Sequence, residues 1–302
     1  MTQKMIIRTQ NLDFYFSKSK KAIDNLSLNV PKGSVYGFLG PNGAGKSTTM
    51  RLLTGIIPDD SDSIEIFGKS LQKQFPEIFN QLGCLVESPA LYLHLSGGNN
   101  LKYIAKIRGV EDSRIDEILK IVDLYEDRNR KVKQYSLGMK QRLAIAMALM
   151  SNPEILLLDE PVNGLDPNGI IEIRKLLIKV NQEFGTTIFV SSHLLSEIEK
   201  MCTHVGIISK GKLRFEGTIK ELSQNFGQCK IIISLKNPGE ILEKIPQEYN
   251  VIEIETESKI SVSLPDKEMI PDLTKKLITL GAEIYEIKIQ EGLEEWFMSL
   301  TQ

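Results

Sequence analysis

Short apolar runs alternate with stretches of helical periodicity between Val30 and about Ile208. Three of these runs, at 34–39, 154–160 and 186–193, are almost continuously apolar, which is typical of strands covered on both faces of a sheet. Strands that alternate with helices in this way predict an α/β fold with a mainly parallel sheet.

Two other patterns accompany this alternation. Residues 5–16 and 22–30 have the character of antiparallel strands, which predicts an antiparallel β subdomain ahead of the parallel sheet. Residues 89–150 are helical in pattern, and we expect them to form an inserted helical subdomain. Its predicted helices are 99–110, 114–125 and 139–150.

The composition shifts near Gly227, after a predicted hairpin about Lys210-Gly211 and a short predicted helix at 218–226. We therefore expect a first domain at 1–226 and a second at 227–302. In the second domain, strand-like and helical patterns follow in the order β-α-β-β-α-β, which predicts a small C-terminal α+β domain.

Composition and charge narrow the class of partner. The chain is 41% hydrophobic and 25% charged, so it can bury a sizeable core. A net charge of −2 and a pI of about 6.1 argue against a general basic surface, so no nucleic acid partner is expected. The apolar runs are too short to cross a bilayer, so any membrane-spanning part is expected on another chain. Cys84, Cys202 and Cys229 lack metal-ligand spacing and are expected to be reduced thiols.

The stretch GPNGAGKST at 40–48 fits the pattern G-x-x-x-x-G-K-[ST] and lies between a predicted strand and a predicted helix. Glycines let backbone N–H groups surround phosphates, Lys46 can reach their terminal oxygens, and Ser47 can ligate Mg²⁺. The motif predicts a site for a nucleoside triphosphate. Its candidate binding residues are Gly40, Pro41, Asn42, Gly43, Ala44, Gly45, Lys46, Ser47 and Thr48.

Two acidic residues end the apolar run ILLLDE, at the carboxyl end of a predicted buried strand. Ligands of open α/β sheets collect at such strand ends. Beside a phosphate-binding loop, Asp159 is expected to hold Mg²⁺ and Glu160 to polarise the attacking water. An isolated Asp-Glu pair is more often a solvated strand end, so the prediction depends on the loop at 40–48.

Further motifs stand in a defined order: YSLGMKQRL at 135–143 precedes ILLLDEP, and NGLDP and VSSH follow. This order resembles that of the ATP-binding subunit of an ABC transporter. The resemblance covers roughly residues 5–222. It implies ATP as the nucleotide, Ser136 and Gly138 as signature-loop residues and Asp166 as the D-loop aspartate. It also implies His193 as the switch histidine that orients the water, and Phe16, or Tyr15 beside it, as the ring stacked on adenine.

Ser136 starts a predicted helix, and such an end attracts anions. In the family that this chain resembles, two subunits face each other head to tail, and the signature helix of one points at the γ-phosphate held by the other. The resemblance therefore implies a homodimer, or a heterodimer with a sister subunit. It also implies a permease on separate chains and a cytoplasmic location, peripheral on the inner face of the cell membrane.

Several positions depart from the family's commonest motifs. Leu137 and Met139 stand where glycine and glutamine are usual, and Glu87 stands where glutamine is usual. Glu87, together with SLGMKQR, resembles the exporters that protect bacteria against bacitracin and lantibiotic peptides. As a carboxylate, Glu87 can serve as a Mg²⁺ ligand, and a solvated loop acid is the alternative.

Other functions stay open at this point. A non-transport ABC ATPase acting on nucleic acid or ribosomes shares these motifs, but such proteins generally carry a coiled-coil insertion, zinc modules or two fused ATPase domains. The C-terminal domain resembles the accessory domain of drug-exporter and sodium-exporter ATPases. It could bind a small regulatory ligand or brace the dimer, with Trp296 and Phe297 as packing anchors.

Overall fold

The structure is a computed structural model. It describes Phe297 and residues 4–87, 90–225, 229–236, 238–242, 250–256, 258–264 and 267–290. The chain forms two compact units that divide between Ile219 and Lys220, slightly ahead of the predicted domain boundary. Trp296 lies outside the described residues.

The first unit is built from both strands and helices. Its strands are β1 Met5–Thr9, β2 Leu12–Ser17, β3 Lys20–Leu26, β4 Asn29–Pro31, β5 Val35–Leu39, β6 Ile64–Ile66, β7 Lys69–Ser70, β8 Leu82–Leu85, β9 Ile155–Leu158, β10 Thr187–Ser192, β11 His204–Ser209 and β12 Lys212–Thr218. Its helices are α1 Lys46–Leu53, α2 Gly97–Arg108, α3 Ser113–Ile121, α4 Leu137–Ala148, α5 Pro167–Phe184 and α6 Leu195–Met201. Helix α7, Ile219–Asn225, follows at the division.

The central sheet has the strand order β12-β11-β5-β10-β9-β8, and every neighbouring pair is parallel except β11 with β12. Strands β5, β9 and β10 are buried along their whole length, as their continuous apolar runs predict. Leu39 pairs with Ser192, and Leu158 pairs with Val190. The carboxyl ends of these strands therefore meet at one edge, where the segments beginning at Gly40, Asp159 and His193 emerge.

The antiparallel subdomain consists of a four-stranded sheet of order β4-β1-β6-β7 and the hairpin β2-β3. Its apolar side chains join those of the central sheet in one buried cluster. Within the cluster, the ring of Phe189 stacks on Tyr36 at 5.2 Å and contacts Phe38 at 5.4 Å. Burying a large apolar side chain contributes about 1.5–3 kcal/mol, so this cluster holds the strand ends in place.

The helical subdomain contains α2, α3 and α4, and its helix ends differ from the predicted ones for local reasons. The hydroxyl of Ser96 caps α2 by accepting a hydrogen bond from Asn99 N, so the helix includes Gly97 and Gly98. Helix α3 ends at Ile121, and Asp123 then adopts a left-handed backbone with φ 53°. Caps and turn residues, which the apolar spacing does not reveal, set these limits.

The second unit contains β13 Cys229–Leu235, α8 Pro238–Leu242, β14 Asn250–Thr256, β15 Lys259–Leu264, α9 Ile270–Thr279 and β16 Ile284–Gln290. The sheet order is β14-β15-β13-β16, and all neighbours are antiparallel. This is the predicted β-α-β-β-α-β order, with the pairing of a ferredoxin-like unit. Ile231, Ile233 and Val262 pack with Leu273 and Leu277 of α9 in its core.

Helices long and apolar enough to span a bilayer were sought in the described part of the chain, and none has both properties.

Candidate functional site

The loop from Gly40 to Gly45 joins β5 to α1, and its shape requires glycine at several positions. Gly43 and Gly45 have φ values of 79° and 116°, in the left-handed region that side chains disfavour. A Cβ on Gly40 would lie 2.4 Å from the carbonyl oxygen of Ile208, so the neighbouring strand β11 approaches the loop closely. The loop therefore curls tightly ahead of Lys46, the first residue of α1.

The ammonium group of Lys46 is surrounded by oxygen atoms. Its Nζ donates to the carbonyls of Gly40 at 2.8 Å and Pro41 at 3.3 Å, and it lies 3.2 Å from Oε1 of Glu160. The Lys46 side chain is only 6% exposed. Because a buried charge is costly unless it is paired, these oxygens stabilise the cation at the base of the loop.

Ser191 of β10 connects the two acidic residues that follow β9. Its hydroxyl donates to Oδ1 of Asp159 at 2.5 Å and accepts from Glu160 N at 2.9 Å. Glu160 has a left-handed backbone with φ 48°, which turns the chain at the strand end. The role of Ser191 was not predicted, although it lies in the VSSH motif two residues before His193.

The carboxylate of Glu160 lies between two nitrogen-bearing side chains. Its Oε2 is 2.7 Å from Nδ1 of His193, and its Oε1 faces Lys46. Strands β9 and β10 are parallel neighbours in the sheet, so Glu160 and His193 emerge side by side. A carboxylate held in this way can accept a proton from a water that it orients.

These groups line a cavity of about 640 Å³. Of the predicted site residues, it is lined by Phe16, Asn42, Gly43, Gly45, Lys46, Ser47, Thr48, Glu160 and His193. The volume suits a ligand the size of a nucleotide. Residues without a predicted role also line it, namely Lys20, Lys21, Ala22, Asn163, Lys210 and Gly211. The predicted hairpin turn placed Lys210 and Gly211 together, but no motif connects them with the loop at 40–45.

The two aromatic candidates for the adenine ring occupy different surroundings. Phe16 lines the cavity and is 52% exposed, with the edge of Phe14 at 5.1 Å and Lys20 Nζ 5.8 Å from its ring centre. Tyr15, also half exposed, lines a separate depression of about 290 Å³ together with Asp13. The structure therefore brings Phe16, and not Tyr15, to the phosphate-binding loop.

The cationic rim of this cavity is held by local ion pairs. Lys21 Nζ lies 2.5 Å from Asp24 Oδ1 and 3.0 Å from Asp13 Oδ1, and Lys212 lies 3.0 Å from the other oxygen of Asp24. The hydrogen bonds to Asp24 and then to Asp13 raise the pKa of Lys21, so its charge is retained. Hydrogen bonds to Lys21 and Lys212 lower the pKa of Asp24. This pairing helps to hold the β2-β3 hairpin that carries Phe16.

Ser136, Gly138 and Asp166 are not among the residues that line the cavity. The hydroxyl of Ser136 caps α4 by accepting from Met139 N at 3.2 Å, and the Asp166 carboxylate caps α5 by accepting from Gly169 N at 3.2 Å. A Cβ built on Gly138 would lie 4.0 Å from Gly169 Cα. The starts of α4 and α5 therefore lie side by side, and both present the positive end of a helix dipole.

The three predicted metal ligands are placed differently. Ser47 lines the cavity, Asp159 is buried behind it on Ser191, and Glu87 forms an ion pair with Arg51 outside the cavity lining. Within the described ranges, His, Cys, Asp and Glu side chains form no cluster of three or more suited to a metal ion. A hydroxyl and one carboxylate fit Mg²⁺, which keeps several waters and substrate phosphate oxygens as ligands.

Comparison with known proteins assigns the chain to a family. Residues 23–163 match the domain family described as ABC transporter. The chain is 41% identical to the bacitracin transport ATP-binding protein BcrA of Bacillus licheniformis, over 98% of this chain and 97% of that protein. The chain therefore belongs to the ATP-binding subunits of ABC transporters: it binds nucleotide and is an ATPase.

Two further matches extend this result. The lantibiotic transport ATP-binding protein SrtF of Streptococcus pyogenes is 43% identical over 70% of this chain and 90% of that protein. The solved structure of cbiO1 from Clostridium perfringens, part of the ABC transporter complex cbiONQ, is 27% identical with a TM-score of 0.66. It covers 74% of this chain and 95% of that chain. The predicted fold class and the resemblance to bacitracin and lantibiotic transport proteins are confirmed.

Proposed function

We propose that this chain powers the export of a peptide antibiotic or another drug through a permease formed by separate membrane subunits. The observation that carries the catalytic part is the position of Glu160, held between Lys46 and His193 at the mouth of the phosphate-binding loop. The names of the bacitracin and lantibiotic relatives support the class of cargo. A cytoplasmic location, peripheral on the inner membrane face, belongs to the same proposal.

In this proposal, different residues in and beside the cavity bind ATP and promote its hydrolysis. The loop from Gly40 to Thr48 binds the phosphates through backbone N–H groups and Lys46, while Phe16 stacks on adenine. Glu160 orients the attacking water and accepts its proton, and His193 positions the Glu160 carboxylate and contacts the γ-phosphate. Ser47 and Asp159 would hold Mg²⁺, which neutralises phosphate charge when bound.

We further propose that two ATP-binding subunits, either identical or sister chains, share each nucleotide. Ser136, Gly138 and Asp166 lie outside the cavity of their own chain. They sit at two adjacent helix starts, and the start of α4, which is capped by the neutral Ser136 hydroxyl, favours an anion. A partner subunit's triphosphate is an anion of the required kind. Loss of the γ-phosphate on hydrolysis would then weaken the pairing. The accessory domain at 227–302 would brace this pair.

The test is an affinity capture of tagged Glu160→Gln protein from detergent-solubilised membranes of the source cell, with ATP and Mg²⁺. Recovery of a polytopic membrane protein is the expected result, and its substrates would define the cargo. Recovery of ribosomes or DNA-bound proteins without a membrane protein would contradict the export proposal. Glu154→Gln, which alters an exposed ion pair with Lys32, is the matched control.

The assignment of Glu87 as a Mg²⁺ ligand stays a prediction. Titration of ATPase activity with Mg²⁺ in Glu87→Gln tests it, because loss of a charged oxygen ligand weakens the response to the ion. An unchanged titration would count against this role.

A further inference from the structure

Glu87 forms an ion pair with Arg51, a residue in the last turn of α1. Helix α1 begins with Lys46 and Ser47, whereas Glu87 follows β8 on the path to the helical subdomain. We infer that Arg51 is a positioning residue for ATP hydrolysis, because it fastens residues 86–87, here called the exit segment, to the helix that carries the phosphate-binding lysine.

The backbone around Glu87 supports a defined position for its carboxylate. Glu87 has φ 71°, a left-handed conformation that a side-chain-bearing residue adopts at a cost. The strand before it is anchored to the catalytic edge, since Leu85 pairs with Leu158 and accepts a hydrogen bond from Asp159 N at 2.8 Å. The exit segment therefore starts beside Asp159 and turns sharply at Glu87.

Arg51, the other member of the ion pair, also lies where hydrogen bonds fix the backbone. The Arg51 carbonyl accepts hydrogen bonds from Ile57 N at 3.1 Å and from the Thr54 hydroxyl at 3.2 Å. These bonds close the end of α1 and hold the Arg51 backbone, from which the guanidinium group reaches Glu87. The ion pair therefore joins two elements that both leave the nucleotide edge of the sheet: α1, and the segment leading to the subdomain that contains Ser136.

The negative charge of Glu87 strengthens its contact with Arg51. A carboxylate accepts a charge-assisted hydrogen bond from guanidinium, whereas a glutamine amide offers a neutral and weaker acceptor. The side chains of Arg51 and Glu87 are 34% and 59% exposed, so the pair contributes little to global stability and is weakened by salt. Its effect is expected on the alignment of the two elements during turnover.

This inference differs from the metal-ligand prediction in its consequences. If Glu87 acts through Arg51, removal of either charge has the same effect, and removal of both adds nothing further. If Glu87 acts as a metal ligand independently of Arg51, only its own substitution weakens the response to Mg²⁺. The two roles can therefore be separated by one set of variants in the full chain.

The experiment compares steady-state ATPase kinetics of the unaltered protein, Arg51→Gln, Glu87→Gln, the double variant and Arg51→Lys. We expect each single Gln variant to lower kcat by about 5-fold or more, with KM for ATP and the Mg²⁺ half-saturation unchanged. The double variant should match the single variants, and Arg51→Lys should retain most of the activity. The unaltered protein should lose activity with added salt more steeply than any Gln variant.

A second measurement reports on the pair without nucleotide turnover. Amide hydrogen exchange in β8 and the exit segment should accelerate equally in Arg51→Gln and Glu87→Gln, because both release the same segment. Glu154→Gln removes a carboxylate from another exposed ion pair and should leave kinetics and exchange unchanged. Unequal effects of the two single variants, additive effects in the double variant, or a Mg²⁺ shift confined to Glu87→Gln would overturn the inference.

Discussion

Oε2 of Glu160 lies 2.7 Å from Nδ1 of His193, although the two residues are 33 positions apart in the chain. The contact exists because β9 and β10 are parallel neighbours whose carboxyl ends are in register. It holds the Glu160 carboxylate at the phosphate-binding loop, so this side chain does not rotate freely.

Replacing Glu160 by glutamine should abolish most of the ATPase activity while ATP binding is retained. A neutral amide keeps the approximate shape of the side chain but cannot accept the proton, so we expect hydrolysis to slow by about 10²-fold or more. Phosphate release measures turnover, and a fluorescent nucleotide measures binding. Activity close to that of the Glu154→Gln control would show that Glu160 is not the base.

The adenine contact can be tested by comparing two neighbouring aromatic residues. Phe16→Ala should weaken ATP binding by about 10-fold, because stacking of a base on an aromatic ring contributes about 1–3 kcal/mol. Tyr15→Ala removes a ring of similar exposure that lines a different depression, and should leave the affinity unchanged. Isothermal titration with ATP distinguishes them, and a larger loss in Tyr15→Ala would reverse the assignment.

Two glycines of the phosphate-binding loop should differ in their tolerance of alanine. A Cβ on Gly45 would lie 2.8 Å from Ile23 Cδ1 and 3.1 Å from Ala22 O, at φ 116°, so steric overlap adds to backbone strain. At Gly43 only the strain at φ 79° applies, since nothing lies within 4 Å. We expect a loss of about 3 kcal/mol for Gly45→Ala and about 1 kcal/mol for Gly43→Ala. Urea unfolding measures both, and equal losses would contradict the packing argument.

Tyr36 should stabilise the first unit in a pH-dependent way. Its buried hydroxyl donates to Oε1 of Glu216 at 2.7 Å, so Tyr36→Phe should lower the free energy of unfolding by about 2 kcal/mol. Burial, and then the Glu216 charge and the hydrogen bond to it, raise the pKa of Tyr36 well above its ordinary value.

The sign of the pH effect follows from this raised pKa. Above about pH 10, Tyr36 loses its proton in the unfolded chain but keeps it in the folded protein. The stability contributed by Tyr36 is therefore fully present below that pH and is lost at higher pH. In urea unfolding, the difference between the unaltered protein and Tyr36→Phe should therefore be smaller at about pH 11 than at about pH 8. Tyr285→Phe, at a highly exposed position, is the control, and a constant difference would exclude the linkage.

Local sequence patterns were sufficient for most of the architecture. The continuous apolar runs identified β5, β9 and β10 because strands buried on both faces need apolar residues throughout. The limits of α2 and α3 were less predictable. They depend on a serine cap at Ser96 and a left-handed turn at Asp123, which are decided by a few hydrogen bonds and not by apolar spacing.

The candidate site likewise has one part that the local sequence predicts and another part that it does not. The stretch at 40–48 predicts a phosphate-binding loop because glycine, lysine and serine must stand at fixed intervals for backbone N–H groups, charge and hydroxyl to meet one ligand. The placement of Ser191 between Asp159 and Glu160 follows from the register of β9 against β10. No spacing along the chain encodes that contact.

The sequence by itself determined the family, the phosphate-binding loop and the acidic pair Asp159-Glu160, because these depend on residues close together in the chain. Only the tertiary structure decided that Phe16 rather than Tyr15 lines the cavity, and that Arg51 pairs with Glu87. The first relationship depends on which of two neighbouring side chains faces the cavity. The second joins two segments that are distant in the sequence. Successive side chains of a strand point to opposite faces, which separates Phe16 from Tyr15, whereas packing brings the end of α1 against the exit segment.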